Sequence, residues 1–157
     1  MTAQIPETLL YQGEEMAMCT NPLGTYFELG GFDPGFESFC TALWRGYVGR
    51  WEIIDGRLYL IGLGGTLKDG REATLASVFP NNPDRVFAHW YTGEIRIPQG
   101  KQLEYVHMGY GSTFERDLLL NFEKGVLVSS RVQENGIADP DAPEGYGVGA
   151  MTTFPKP

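Results

Sequence analysis

No Lys or Arg occurs between Met1 and Trp44, a stretch that carries six acids. The whole chain of 157 residues has a formal net charge of −8. Binding nucleic acid without regard to sequence needs cations against phosphates, so this balance argues against that class. Only two cysteines, Cys19 and Cys40, and two histidines, His89 and His107, are present. Neither pair has the spacing of a local metal site, so no metal and no cofactor are expected. Two buried free thiols in a reducing compartment are expected, with a single disulfide as the other reading. No run approaches the roughly 20 apolar residues of a membrane span. The first residues, MTAQIPETLLYQGEE, lack the basic and apolar regions of a signal peptide. The expectation is a cytoplasmic protein. Ser112 lacks the context of a nucleophile elbow, and the glycines at 109 and 111 are followed by neither Lys nor a helix pattern.

What the chain does have is turn formers and aromatics. Its 21 Gly and 10 Pro, with 9 Phe, 8 Tyr and 3 Trp, favour strands joined by short turns. Four hairpins are expected. Gln12-Gly13 joins ETLLY to EEMAM and pairs Leu9 with Met16. Asp55-Gly56 supplies the positive φ angles of a type I′ turn and pairs Ile53 with Leu58 and Trp51 with Leu60. Pro98-Gln99-Gly100 reads as a three-residue loop pairing Ile95 with Leu103, or Arg96 with Glu104 if slid by one. Glu123-Lys124-Gly125 reads as another, pairing Phe122 with Val126, Leu120 with Val128 and Asp117 with Arg131. Between the second and third, residues 71–79 suit two helical turns stopped by Pro80, and Arg85–Thr92 reads as a strand. GGFDPGFESF reads as a loop. The expected fold is mainly β: an antiparallel, hairpin-built barrel or sandwich with one short helix. Residues 1–132 form one domain, and 133–157 an irregular acidic tail rich in Gly and Pro, packed on it or trailing.

Charge is unevenly divided. Residues 1–44 carry −6, residues 45–132 carry +1 and residues 133–157 carry −3. Acidic ends on a near-neutral body fit a basic protein partner, because complementary charge speeds encounter. They also fit simple solubility.

Candidate site residues are few. In TALWRGY, Trp44 and Arg45 lie among aromatics. An Arg so placed can clamp a carboxylate or phosphate, or stack on a ring and pair with an acid such as Glu52. His107 continues the apolar phase of Leu103 and Tyr105, as a buried structural His or as a general base. In HMGYGST, the glycines around Tyr110 let a ligand approach the backbone or make a bend. Glu115 and Asp117, two apart on a strand, could act as acid and base or as a solvated face beside Arg116 and Arg131. Ser112-Thr113-Phe114-Glu115 resembles an element of mono-ADP-ribosyl transferases, but the paired-glutamate motif is missing.

The blocks TALWRGYVGRWEI, HWYTGEIRIPQG, YVHMGYGS and ERDLLLNFEKGVLV resemble a family of small bacterial proteins. The resemblance covers most of residues 40–130 and implies no activity, cofactor or site. Three functions are therefore expected in order. The first is a non-catalytic binding protein, immunity- or inhibitor-like, that masks a basic partner. The second is a small-ligand barrel lined by Trp51, Trp90, Tyr105 and His107, with Trp44, Arg45 and Tyr110 as further ligand contacts. The third is a small enzyme using His107 with Glu115, Arg45 or Tyr110. The oligomeric state is not readable.

Overall fold

The computed structural model describes residues 3–31, 35–38, 40–106 and 108–144. In chain order the elements are β1 (Glu7–Tyr11), β2 (Glu14–Met18), α1 (Pro22–Gly30), a 3₁₀ turn (Thr41–Leu43), β3 (Tyr47–Ile54), β4 (Arg57–Gly65), α2 (Leu75–Val78), β5 (Val86–Phe87), β6 (Gly93–Glu104), β7 (Thr113–Glu123) and β8 (Val126–Glu134). The strands make a single sheet in the order β2-β1-β3-β4-β8-β7-β6, with β5 added to β4. The protein is mainly β, and all pairings are antiparallel except β1 with β3.

The sheet folds back toward itself without a closing ladder. Its first half, β2-β1-β3-β4, meets its second, β8-β7-β6, at Arg57–Val126. The outer strands meet where Cys19 N donates to Arg96 O at 2.9 Å. The enclosed face is the core. Leu9, Trp51, Leu58, Leu60, Ile95 and Leu120 are fully buried there, and Leu23 and Phe27 of α1 pack over them.

The first two hairpins have the expected registers. Leu9 faces Met16, Ile53 faces Leu58 and Trp51 faces Leu60. Both central residues of each turn take positive φ, 52° and 79° at Gln12-Gly13 and 51° and 74° at Asp55-Gly56. This is the type I′ geometry whose twist suits a right-twisted strand pair.

The third expected hairpin does not exist. Residues 93–104 are one continuous strand paired along β7, so Ile95 faces Leu120 and not Leu103. Gly100 does take φ 82°, but it makes a bulge within β6 rather than a turn. The chain reverses instead between Glu104 and Thr113, the paired ends of β6 and β7. In the fourth hairpin the loop is Lys124-Gly125, two residues rather than three. Glu123 faces Val126 and Phe122 faces Leu127, and a bulge then sets Leu120 against Ser130 and Asp117 against Gln133. The expected Asp117–Arg131 pair is replaced by Asp117–Arg96 and Arg131–Glu94.

The helices also differ from expectation. The stretch 71–79 keeps only α2, held by reciprocal bonds between Thr74 and Ser77. The strand expected over Arg85–Thr92 shrinks to β5. An additional helix, α1, starts at Pro22, where the missing N–H costs nothing. It ends at Gly31, whose φ of 66° lets its N–H cap Phe27 O.

Candidate functional site

Two polar constructions dominate the molecule. The first is a charged pair inside the core. Glu7 lies on β1 in phase with Leu9, and its exposure is 0 %. A buried carboxylate needs partners for both oxygens. Oε2 accepts from Arg45 Nη2 at 2.8 Å and from the Gly49 N–H at 2.6 Å, and Oε1 accepts from Trp51 Nε1 at 3.2 Å. Gly49 makes the space: a Cβ there would stand 2.5 Å from Glu7 Oε1 and 2.7 Å from Trp51 Nε1. Arg45 also lies over the Tyr47 ring, 5.4 Å from its centroid. Burial, the largest influence, pulls the Arg45 pKa down, but the charge and hydrogen bond of Glu7 together with Tyr110 and Tyr47 raise it overall, and the guanidinium stays protonated. Arg45 Nε is buried and has no hydrogen-bond partner among the described residues.

Burial raises the pKa of Tyr47 and of Tyr110, and Glu7 adds to both. Both phenols are therefore neutral donors, poorly suited to act as bases. Burial also pushes the Cys19 thiol up to about 12, and Cys19 and Cys40 are both free. Cys19 is buried as expected, whereas Cys40 is exposed.

The second construction is a strap, residues 105–106 and 108–112, laid across one end of the sheet. Arg96 on β6 uses all three guanidinium nitrogens here, one on β7 and two on the strap. Nε donates to Asp117 Oδ1 at 2.9 Å, Nη1 to Tyr110 O at 2.7 Å and Nη2 to Ser112 O at 2.8 Å. Tyr110 then reaches the residue that precedes α1, its hydroxyl donating to Asn21 Oδ1 at 2.7 Å. Ser112 Oγ accepts from Val106 N, a structural use of that hydroxyl. The N-terminal segment is fastened to the strap by Gln4 N donating to Gly109 O at 2.9 Å. The Gln4 side chain clamps the 3₁₀ turn, accepting from Trp44 N and donating to Thr41 O. Three large side chains stand out from this fixed backbone: Trp44 at 61 % exposure, Met108 at 60 % and Tyr105 at 50 %.

The candidates named from sequence are thus divided among three places. Arg45 and Trp51 meet in the core through Glu7, and Tyr110 lies close enough to feel the charge of Arg45. Trp44 and Tyr105 belong to the exposed strap end. Trp90 is on neither: it packs on Tyr26 and Phe79 and donates Nε1 to Pro22 O at 2.8 Å. Glu115 is at the C-terminal segment, where its carboxylate accepts from Lys101 N and Ala138 N. Its i+2 neighbour Asp117 is buried and accepts from Arg96 and Asn135. His107 lies outside the described residues. Glu7, Gln4 and Arg96 are not among the site residues expected from the sequence. Among the described residues no set of three or more His, Cys, Asp or Glu is placed to hold a metal ion, and no helix is long and apolar enough to cross a membrane.

No family model, curated protein or solved structure matches the chain.

Proposed function

We propose that this chain is a non-catalytic binding protein that docks a protein partner on its strap end. The observation that carries this reading is the exposure of Trp44, Tyr105 and Met108 on backbone clamped by Gln4, Arg96 and Tyr110. Aromatic and Met side chains of this kind are the usual anchors of interfaces. A backbone already ordered costs less entropy on binding. The groups that chemistry would use have internal partners instead: Arg45 holds Glu7, Asp117 holds Arg96, and Glu115 holds the C-terminal segment. Charge supports a basic partner. The first cation of the chain, Arg45, is spent on buried Glu7, whereas Glu14, Glu15 and Glu28 remain exposed. Glu14 and Glu15 lie beside Tyr11 and Leu10, away from the strap, so this outward negative charge favours the encounter with a basic partner rather than contacting it at the strap. The small-ligand reading draws on one specific feature, the unpartnered Arg45 Nε in the core.

The docking reading is tested by placing a photo-crosslinking amino acid at position 44, 108 or 11 in cells of the natural source. Tyr11 ends β1, at the far end from Ala3–Ile5 and the strap. Positions 44 and 108 should trap one basic protein and position 11 should not. With that protein purified, Trp44→Ala should weaken binding at least about tenfold, the scale of an interface anchor. Equal trapping from position 11, or affinity indifferent to both Trp44→Ala and Met108→Ala, would overturn the proposal.

A further inference from the structure

We infer that β8 is a dimerisation strand, to which a second copy of the chain adds its own β8 antiparallel, with Val132 facing Val132 across a two-fold axis. This is independent of the docking surface proposed above.

The starting point is an open seam in the sheet. On one side β8 pairs with β7 throughout, from Glu123–Val126 to Arg116–Glu134. On the other it meets β4 only at Arg57–Val126, with Leu127 N donating to Gly56 O at 2.7 Å. Beyond that point β5 takes the β4 edge, pairing with Tyr59 and Leu60. Among the described residues no strand pairs with the remaining edge of β8, and residues 128–134 are all exposed. An unpaired edge presents free N–H and C=O groups to any strand that fits. The bulge at Val128 bends the strand and restricts the straight, usable edge to Ser129–Glu134.

The side chains show that this edge is unfinished core rather than ordinary surface. Val132 faces Leu118, and Ser130 faces Leu120, which is fully buried. Both β8 residues therefore point to the core side of the sheet, yet Val132 is 53 % exposed. The core face simply runs out at the seam.

Charge and register select a second copy. In a continuous antiparallel sheet, directly opposed side chains share a face, so a two-fold axis must bring one residue opposite itself. Centring on Arg131 would set two guanidiniums together, which is destabilising. Centring on Ser130 would carry the second Glu134 onto Val126, where Arg57 already pairs. Centring on Val132 avoids both conflicts. It sets valine on valine at the open seam, Arg131 opposite the second Gln133, and Ser130 opposite the second Glu134. The serine hydroxyl donates to a carboxylate and the guanidinium to an amide oxygen, and no like charges meet. The paired segment is short, so the dimer belongs to the weak, small-interface class. Each copy carries −8, so added salt screens mutual repulsion and strengthens the contact.

The test uses the full chain in sedimentation equilibrium, together with cysteine crosslinking in a Cys40→Ser background. Buried Cys19 can remain. The protein should dimerise reversibly, more tightly at higher salt, and Val132→Lys should weaken this at least about tenfold without changing the circular dichroism. Under mild oxidant Val132→Cys should form the linked dimer at least about tenfold faster than the equally exposed Val128→Cys, because opposed Cβ atoms of an antiparallel pair lie near disulfide distance. The crosslinking comparison stands even if Val132→Lys is misfolded. A protein that stays monomeric at its solubility limit, a dimer weakened by salt, or equal crosslinking from positions 128 and 132 would overturn the inference.

Discussion

At the scale of single residues, the molecule is organised around one buried ion pair. Removing one partner of such a pair leaves the other charge stranded in the core. Glu7→Ala should therefore cost about 3–5 kcal/mol in chemical denaturation. Replacing both partners with apolar residues, Glu7→Leu with Arg45→Met, should recover only the part due to the stranded charge, because Gly49 N–H and Trp51 Nε1 still lose their acceptor. A Glu7→Ala cost below about 1 kcal/mol, the level of a surface pair, would show that the pair is not holding the core. Arg45 was legible, because an Arg among Trp44, Tyr47 and Trp51 suggests stacking or clamping. Pairing with an acid was among the readings, but the acid is Glu7 and not Glu52, which points to the opposite sheet face from Trp51. The true acid was hidden by distance in sequence. One signal was available: Ile5, Glu7, Leu9 and Tyr11 alternate, so a charge at position 7 occupies an inward phase and requires a partner.

At the scale of elements, turn chemistry decided which hairpins could be read. Gln12-Gly13 and Asp55-Gly56 are type I′ pairs flanked by alternating apolar residues, and pattern and turn agree there. Lys124-Gly125 uses the same geometry, with φ 49° and 81°, but Lys is a poor residue for a left-handed position. That mismatch favoured the three-residue reading and shifted the expected register. It also yields a prediction. Lys124→Asn keeps the N–H that donates to Thr92 Oγ1 and relieves the backbone preference. It should stabilise the protein by about 0.5–1 kcal/mol in thermal or chemical unfolding. A loss of stability would mean that the Lys side chain makes a contact outweighing this gain. Pro98-Gln99-Gly100 misled in the opposite direction. Proline on the outermost strand needs no donor, and Gly100 makes a bulge, so two turn formers sit inside a continuous strand. α1 was marked by Asn21-Pro22 at its start and Gly31 at its end, but Gly24 and the β-forming Thr25-Tyr26-Phe27 masked its period.

At the scale of the whole molecule, the C-terminal segment shows what side-chain patterns do not encode. Residues 135–144 cross back over the ends of β7 and β6, fastened largely through their own backbone. Asn135 N donates to Glu115 O, Gln102 N to Pro143 O, and Lys101 Nζ to Pro140 O. An irregular acidic composition says nothing about where such bonds fall. The strongest fastening is Glu115, whose carboxylate takes Lys101 N on Oε1 at 2.8 Å and Ala138 N on Oε2 at 3.1 Å. Those backbone N–H bonds, Lys101 first, hold its pKa below the ordinary glutamate value. The sign follows from linkage. A carboxyl with a depressed folded pKa contributes stability fully above its unfolded pKa and loses it as pH falls through the folded value. The segment should therefore stay fastened at neutral pH and come loose as pH drops below about 4.3, the unperturbed glutamate value. Amide hydrogen exchange, corrected for intrinsic rates, should show Ala138 and Lys101 losing protection together in that range while Leu120 in the core keeps it. Glu115→Gln should lose the same protection at every pH, because a neutral amide accepts both N–H groups less strongly and brings an NH₂ against one of them. Protection that follows the core strands down to global acid unfolding would instead place the fastening in Asn135 and the Gln102–Pro143 bond.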